Sequence, residues 1–197
     1  GLPHASSRKK RPMRSAIRRV FGVFLAITCA GCSGPSRGEE AHRDLAADVA
    51  GAEVVFSNRL KREADVDWAA EEVQEEVSRL LRAYAAYANV NHGDSLSGVY
   101  LMRRADLLQG RGDAEKAVSQ WLDVVEGYPR TGFAPEAMFR IGFVRETALR
   151  DTVGALKAYG QLVTSFPESP WSEQAKMAST ALTFSEKELL RSLGSGL

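Results

Sequence analysis

Residues 112–129 read GDAEKAVSQWLDVVEGYP, and residues 151–167 read DTVGALKAYGQLVTSFP. The two stretches align in residue type when Asp113 is placed on Asp151. The other matching positions are Ala117 with Ala155, Trp121 with Tyr159, Val124 with Leu162, and Pro129 with Pro167. A small residue lets two helices approach closely, a large ring fills the space between neighbouring units, and proline ends a helix. A fixed repeat of this size predicts helical hairpins.

A weaker third copy lies upstream, in residues 77–94, VSRLLRAYAAYANVNHGD. Tyr84 stands there in the place of Trp121, and the copy lacks the proline. The repeats therefore predict an all-α domain over residues 41–197. Its units are expected at residues 68–97, 98–134 and 135–172, followed by capping helices.

The stretch at residues 112–129 resembles the second half of a tetratricopeptide repeat, with its Gly-Asp turn, small alanine, aromatic residue and terminal proline. The resemblance implies a right-handed array of helical hairpins whose groove is lined by the first helix of each pair and binds other proteins or peptides. The period exceeds the usual length, as in bacterial envelope proteins of the Tol–Pal, cell-division and outer-membrane assembly type. Groove residues implied by the resemblance are Met102, Asp106, Phe139 and Phe143, whereas Arg104 departs from the apolar residue common at its position.

Apolar spacing predicts the helices that precede the clear repeats. One amphipathic helix is expected around Leu45, Val49, Phe56 and Leu60. Asp67 is the predicted N-cap of a helix over residues 68–89, whose inward residues are Val73, Val77, Leu80, Leu81, Tyr84 and Tyr87. The acidic residues Glu71, Glu72, Glu75 and Glu76 are expected on its solvated face, with Glu75 paired to Arg79. Near the end, Ser185 is the predicted N-cap of a short closing helix.

The first part of the chain has the layout of a secretory signal. A basic segment over residues 14–19 precedes an apolar run over residues 20–28. That run is too short to cross a membrane, which takes roughly 20 residues of helix. Residues 29–32, CAGC, resemble a bacterial lipobox, which implies cleavage between Gly31 and Cys32 and lipid attachment to Cys32. Cys29 departs from the leucine usual at its position.

These features divide the chain before the helical domain into three segments. Residues 1–12 are expected upstream of a start at Met13, residues 13–31 form the lipoprotein signal, and residues 32–40 form a lipidated tether rich in small and polar residues. Ser33, rather than an acidic residue, follows Cys32, which resembles lipoproteins sent to the outer membrane. The expected location is therefore the periplasmic face of that membrane. Two readings compete: an uncleaved signal anchor, or a redox or zinc role for the cysteine pair, which lacks the expected context or further ligands.

Charge excludes one class of partner. The segment of residues 1–32 holds seven basic residues and no acidic ones, so acidic residues outnumber basic ones in the remainder. Nucleic acid is not an expected partner, because phosphate binding needs clustered lysine and arginine. No phosphate loop, supported nucleophile or metal-ligand spacing is evident, so no cofactor is expected. His92 in a turn and His42 on the first helix are expected to be ordinary surface residues.

The favoured hypothesis is a lipid-anchored, non-catalytic scaffold of the bacterial cell envelope that binds envelope proteins or peptides. One alternative is a structural protein that self-associates through the helices of residues 41–90, although its apolar spacing does not hold through several heptads. The other is an envelope hydrolase that depends on His92. The oligomeric state is left open.

Overall fold

Seven α-helices follow one another along the part of the chain that the computed structural model describes, namely the backbone of residues 37–63 and 65–194 and the side chains of residues 38–63, 65–184 and 191. These residues contain no β-strand. The helices are α1 (Arg37–Arg62), α2 (Glu71–Val90), α3 (Ser95–Arg111), α4 (Ala114–Gly127), α5 (Phe133–Thr147), α6 (Thr152–Ser165) and α7 (Pro170–Gly194).

The helices stack as a succession of hairpins. Each helix packs against the next one in the chain, and α5 also contacts α3 and α7. We call α1, α3, α5 and α7 first helices, and α2, α4 and α6 second helices. This arrangement confirms the predicted all-α array of helical hairpins.

The core includes the repeated small and aromatic positions. Ala117, Trp121, Ala155 and Tyr159 are fully buried, as the aligned repeats predict. All six residues predicted to face inward from α2 are buried as well, and Tyr84 stacks on Tyr100 with ring centroids 5.2 Å apart. The apolar pattern therefore identifies the buried faces correctly.

Helix α2 begins later than predicted. Its first residue is Glu71, and Ala70 occupies the N-cap position without a side-chain hydrogen bond. Asp67 instead organises the preceding turn, where its carboxylate accepts a hydrogen bond from the backbone N–H of Ala69 at 2.9 Å. An aspartate can close a local turn as readily as it caps a helix. The prediction that Asp67 is the N-cap of this helix is therefore wrong.

Helix α1 is longer than expected and makes more side-chain contacts with α2 and the turn after it than expected. It begins at Arg37, so helix replaces the last residues of the predicted tether. His42 is half-buried rather than a lone surface residue: its ring hydrogen-bonds to Asn91 Oδ1 at 2.8 Å and to Tyr87 Oη at 3.3 Å. Arg59 joins α1 to α2 through Glu76 at 2.8 Å. Glu76 is therefore an ion-pair partner rather than a fully solvated residue.

Helix α7 is continuous through the predicted break at Ser185. Near its start the buried Ser172 donates its hydroxyl to the carbonyl of Phe166 at 2.6 Å. The prediction of a separate closing helix capped by Ser185 is therefore wrong. A serine within a long helix can leave the backbone hydrogen bonds unchanged.

Candidate protein-interaction surface

Close packing within each hairpin decides which faces of the first helices remain available. Gly142 on α5 lies against Tyr159 on α6, and a Cβ at Gly142 would overlap the Tyr159 ring. Ala105, fully buried on α3, is the corresponding small residue of the preceding hairpin. The small residue thus turns one face of each of these first helices toward its second helix and leaves another face for solvent.

The four groove residues implied by the family resemblance occupy different environments. Met102 is only 6% exposed, which leaves little of its side chain for a ligand. Phe139 is half-buried and packs between Tyr159 and Trp171, with ring centroids 5.7 and 5.2 Å away. Phe143 is 44% exposed. Of the three apolar groove candidates, Phe143 alone is exposed.

Asp106, the fourth candidate, belongs to an ion-pair cluster that joins two first helices. Arg140 on α5 contacts Asp106 on α3 at 2.9 Å and Glu136 on its own helix at 2.7 Å. Burial raises the pKa of the Asp106 carboxyl to about 6, although Arg140 acts in the opposite direction. Phe143 and Arg140 thus place an apolar and a cationic group on the same helix.

A second ion pair repeats this connection one hairpin earlier. Arg103 on α3 pairs with Glu53 on α1, and Glu53 also accepts a hydrogen bond from the hydroxyl of Tyr84 at 2.7 Å. Sequence reasoning missed both Arg103 and Arg140. The available signal was their equivalent place in successive repeats, because each lies two positions before the small residue of its first helix.

Arg104, which departs from the family pattern, is an internal anchor. Its guanidinium donates to the carbonyl of Leu81 on α2 at 3.2 Å and hydrogen-bonds to Gln120 on α4. Burial lowers the pKa of Arg104. The long side chain therefore links three helices where the family pattern has an apolar contact.

Exposed apolar side chains also lie on α7, the fourth of the first helices. Met177 and Phe184 on α7 are 64% and 68% exposed. In the repeat alignment Met177 takes the position of Phe139, which is covered by Trp171 of the following first helix. Met177 has no equivalent cover among the described residues, so this edge of the array is apolar and open.

The same helix is polar where a further second helix would pack. In the repeat alignment Thr180 and Thr183 take the positions of Gly142 and Arg145. Their hydroxyls donate to carbonyls of their own helix at 2.8 Å. Those hydroxyls are satisfied within α7, so they need no hydrogen-bond partner from another helix.

The described residues offer little support for catalysis. They include no group of three or more His, Cys, Asp or Glu able to hold a metal ion. His92 is exposed in the turn between α2 and α3 and has no side-chain partner in the described chain. A cavity of about 460 Å³ beside Glu146, Arg150 and Leu182 is open to solvent. Across the described part of the chain, no helix is both long and apolar enough to cross a membrane.

Comparison with known families identifies the repeat. Residues 136–169 match the tetratricopeptide repeat. No curated protein matches the chain. Repeats of this kind generally mediate binding between proteins and are typically non-catalytic, which supports a protein partner and the absence of an enzymatic role. The chain is thus an all-helical hairpin array that contains a tetratricopeptide repeat and has the architecture of a protein-interaction scaffold.

Proposed function

We propose that this protein is a lipid-anchored, non-catalytic scaffold of the bacterial cell envelope. The tetratricopeptide repeat at residues 136–169, set within an array of hairpins, is the observation that carries the scaffold assignment. The lipobox-like residues 29–32 support the anchor, although they lie outside the described residues. The proposed partners are envelope proteins or peptides at the periplasmic face of the outer membrane.

The proposed binding surface is the exposed side of α5 and its neighbours. Phe143 offers an apolar contact, and Arg140 offers a cation that Asp106 and Glu136 already orient. Central apolar side chains with a charged rim are typical of protein interfaces. A partner segment with an apolar side chain to cover Phe143 and a polar group to bond at the Arg140 cluster would complement this surface.

Photo-cross-linking from two exposed positions tests the surface. A photoreactive phenylalanine analogue at position 143 is expected to capture a defined envelope protein in intact cells. The matched control is the same analogue at Val153, which is 78% exposed on a second helix and should capture nothing specific. Equal capture from both positions, or none from position 143, would contradict the proposed surface.

Membrane fractionation tests the anchor separately. Replacing Cys32 by Ser should release the protein from membranes, because stable attachment requires the acyl chains on that thiol. Replacing Cys29 by Leu, the residue usual at that lipobox position, should leave the protein in the outer-membrane fraction. If the Cys32→Ser variant fractionates like the parent chain, the lipid-anchor assignment is wrong.

A further inference from the structure

The outward side of α2 carries charges that no group in the described chain neutralises. We define the α2 outer face as Glu71, Glu75, Ser78, Arg79 and Arg82. Its two acidic and two basic residues are exposed, and they form no ion pair or side-chain hydrogen bond within the described residues. The predicted pair between Glu75 and Arg79 is therefore not formed, and both side chains are available to a partner.

A cleft accompanies these charges. It has a volume of about 650 Å³ and lies between the α2 outer face and two small apolar residues of α1, Ala52 and Val55. Val55 is 42% exposed, and its neighbour Val54 is 57% exposed. Apolar surface next to an unpaired charged stripe gives an incoming side chain both contact area and counter-charges.

The order of the charges indicates which partner fits. The acidic residues precede Ser78 and the basic residues follow it. With a rise of about 1.5 Å per residue, Glu71 lies roughly 9 Å before residue 77 along the helix axis and Arg82 roughly 7.5 Å after it. A second α2 helix, placed antiparallel about a two-fold axis near residue 77, brings Glu75 opposite Arg79 and Glu71 opposite Arg82. Each of these pairs then occurs twice.

We infer that a second copy of this chain docks on the α2 outer face with its own α2 antiparallel, as a symmetric dimer. Symmetric dimers use one self-complementary patch on both copies, and this stripe has that property. The antiparallel orientation also opposes the two helix dipoles favourably. Ser78, a small residue near the axis, permits a close approach. Since these charges are exposed, the association is expected to weaken as salt concentration rises.

Charge exchange provides the test. The full chain, extracted in detergent, is followed by sedimentation equilibrium over a wide concentration range. The parent chain is expected to dimerise. A Glu71→Lys/Glu75→Lys variant has an all-basic face and an Arg79→Glu/Arg82→Glu variant an all-acidic one, so each alone should dimerise at least about tenfold more weakly. An equimolar mixture should form heterodimers.

The mixture separates an interface from a folding defect, because two variants that merely misfold cannot restore each other. The matched controls are Glu126→Lys on α4 and Lys157→Glu on α6, exposed charges elsewhere that should leave dimerisation unchanged. A monomeric parent chain overturns the inference. So do charge variants that dimerise like the parent, or a mixture that stays monomeric. A parent chain that pairs with a different protein through this face, and not with itself, also overturns it.

Discussion

Hairpins α3–α4 and α5–α6 follow one plan but use different side chains to complete it. In α3–α4, Trp121 is fully buried and its Nε1 has no hydrogen-bond partner in the described chain. In α5–α6, the Tyr159 hydroxyl donates to Glu146 at 3.0 Å. Both hairpins bury an aromatic ring at this position. The polar atom of the ring is hydrogen-bonded in α5–α6 and unpaired among the described residues in α3–α4.

The turns of the two hairpins differ in the same way. Gly112, with φ of 95°, makes the left-handed turn between α3 and α4. Arg150 makes the corresponding turn between α5 and α6 with φ of 56°, a conformation that favours glycine. Asp151, the next residue, accepts hydrogen bonds from the Gly154 N–H at 2.8 Å and from Arg145 at 2.6 Å. The comparison shows that the packing positions tolerate little change, and the connecting positions tolerate more.

The largest expected effect is the loss of a buried ring. Trp121→Ala should destabilise the protein by about 3–5 kcal/mol, because it leaves a large cavity between helices. Trp121→Phe should cost less than half as much, since it keeps most of the ring and removes an unpaired donor. Tyr159→Phe should cost about 1 kcal/mol for its lost hydrogen bond. Urea unfolding measures all three. A loss below about 1 kcal/mol for Trp121→Ala would argue against its burial.

The stability of the fold should depend on pH through Asp106, because burial disfavours its ionised carboxylate. Its pKa of about 6 in the folded protein exceeds the usual value near 3.9 of an unfolded chain. The folded state therefore binds this proton more tightly. The associated stability is fully present below about pH 4 and is lost as pH rises through about 6, by up to about 3 kcal/mol. Asp106→Asn should remove this contribution, seen as a flatter stability profile between those values. The exposed Asp48→Asn variant serves as control, and identical profiles for parent and Asp106→Asn would refute the assignment.

A smaller loss of stability is expected from a substitution at Gly142, where the backbone of α5 lies against the Tyr159 ring. Gly142→Ala should cost about 1–3 kcal/mol, because the added methyl group overlaps Tyr159 and forces α5 and α6 apart. Gly160→Ala is the matched control, since no atom lies within 4 Å of its Cβ position and alanine favours helix by about 1 kcal/mol. The midpoint temperature of thermal unfolding should fall for Gly142→Ala and rise for Gly160→Ala. A shift in the same direction would show that Tyr159 does not pack as described.

The smallest effects on stability should come from single substitutions in the two turns. Gly112→Ala should destabilise α3–α4 by about 1 kcal/mol, because it puts a side chain at a positive φ. Arg150→Gly should stabilise α5–α6 by about 0.5–1 kcal/mol by relieving the same conformation. Denaturant midpoints compare the two variants. If Arg150→Gly destabilised the protein, the Arg150 side chain would be supplying an interaction that outweighs its backbone strain.

The repeated packing positions could be predicted because each demands one physical property. Close helix contact requires a residue such as Ala117, and the interhelical space requires a ring such as Trp121. Both requirements recur at fixed spacing, so a single sequence reveals them. The buried face of α2 followed from the same reasoning, applied to helical periodicity.

Contacts between distant residues could not be predicted in this way. Asp106 meets Arg140 and His42 meets Asn91, and one whole helix lies between the two members of each pair. No local pattern selects such partners, because many charged residues share the same spacing. The start of α2 and the continuity of α7 were misjudged because Asp67 and Ser185 are compatible with more than one backbone arrangement.

The backbone of α1 packs on α2 alone within the described part of the chain, and this has a consequence for how the molecule responds to force and to ligands. Among the described helices, α1 packs against α2 and has no contact with α5, α6 or α7. Cooperativity in such a stack passes from each unit to the adjacent one. Occupancy of α5 should therefore slow hydrogen exchange in α4 and α6 first and reach α1 last, and a pull on the two ends should peel the array apart in steps.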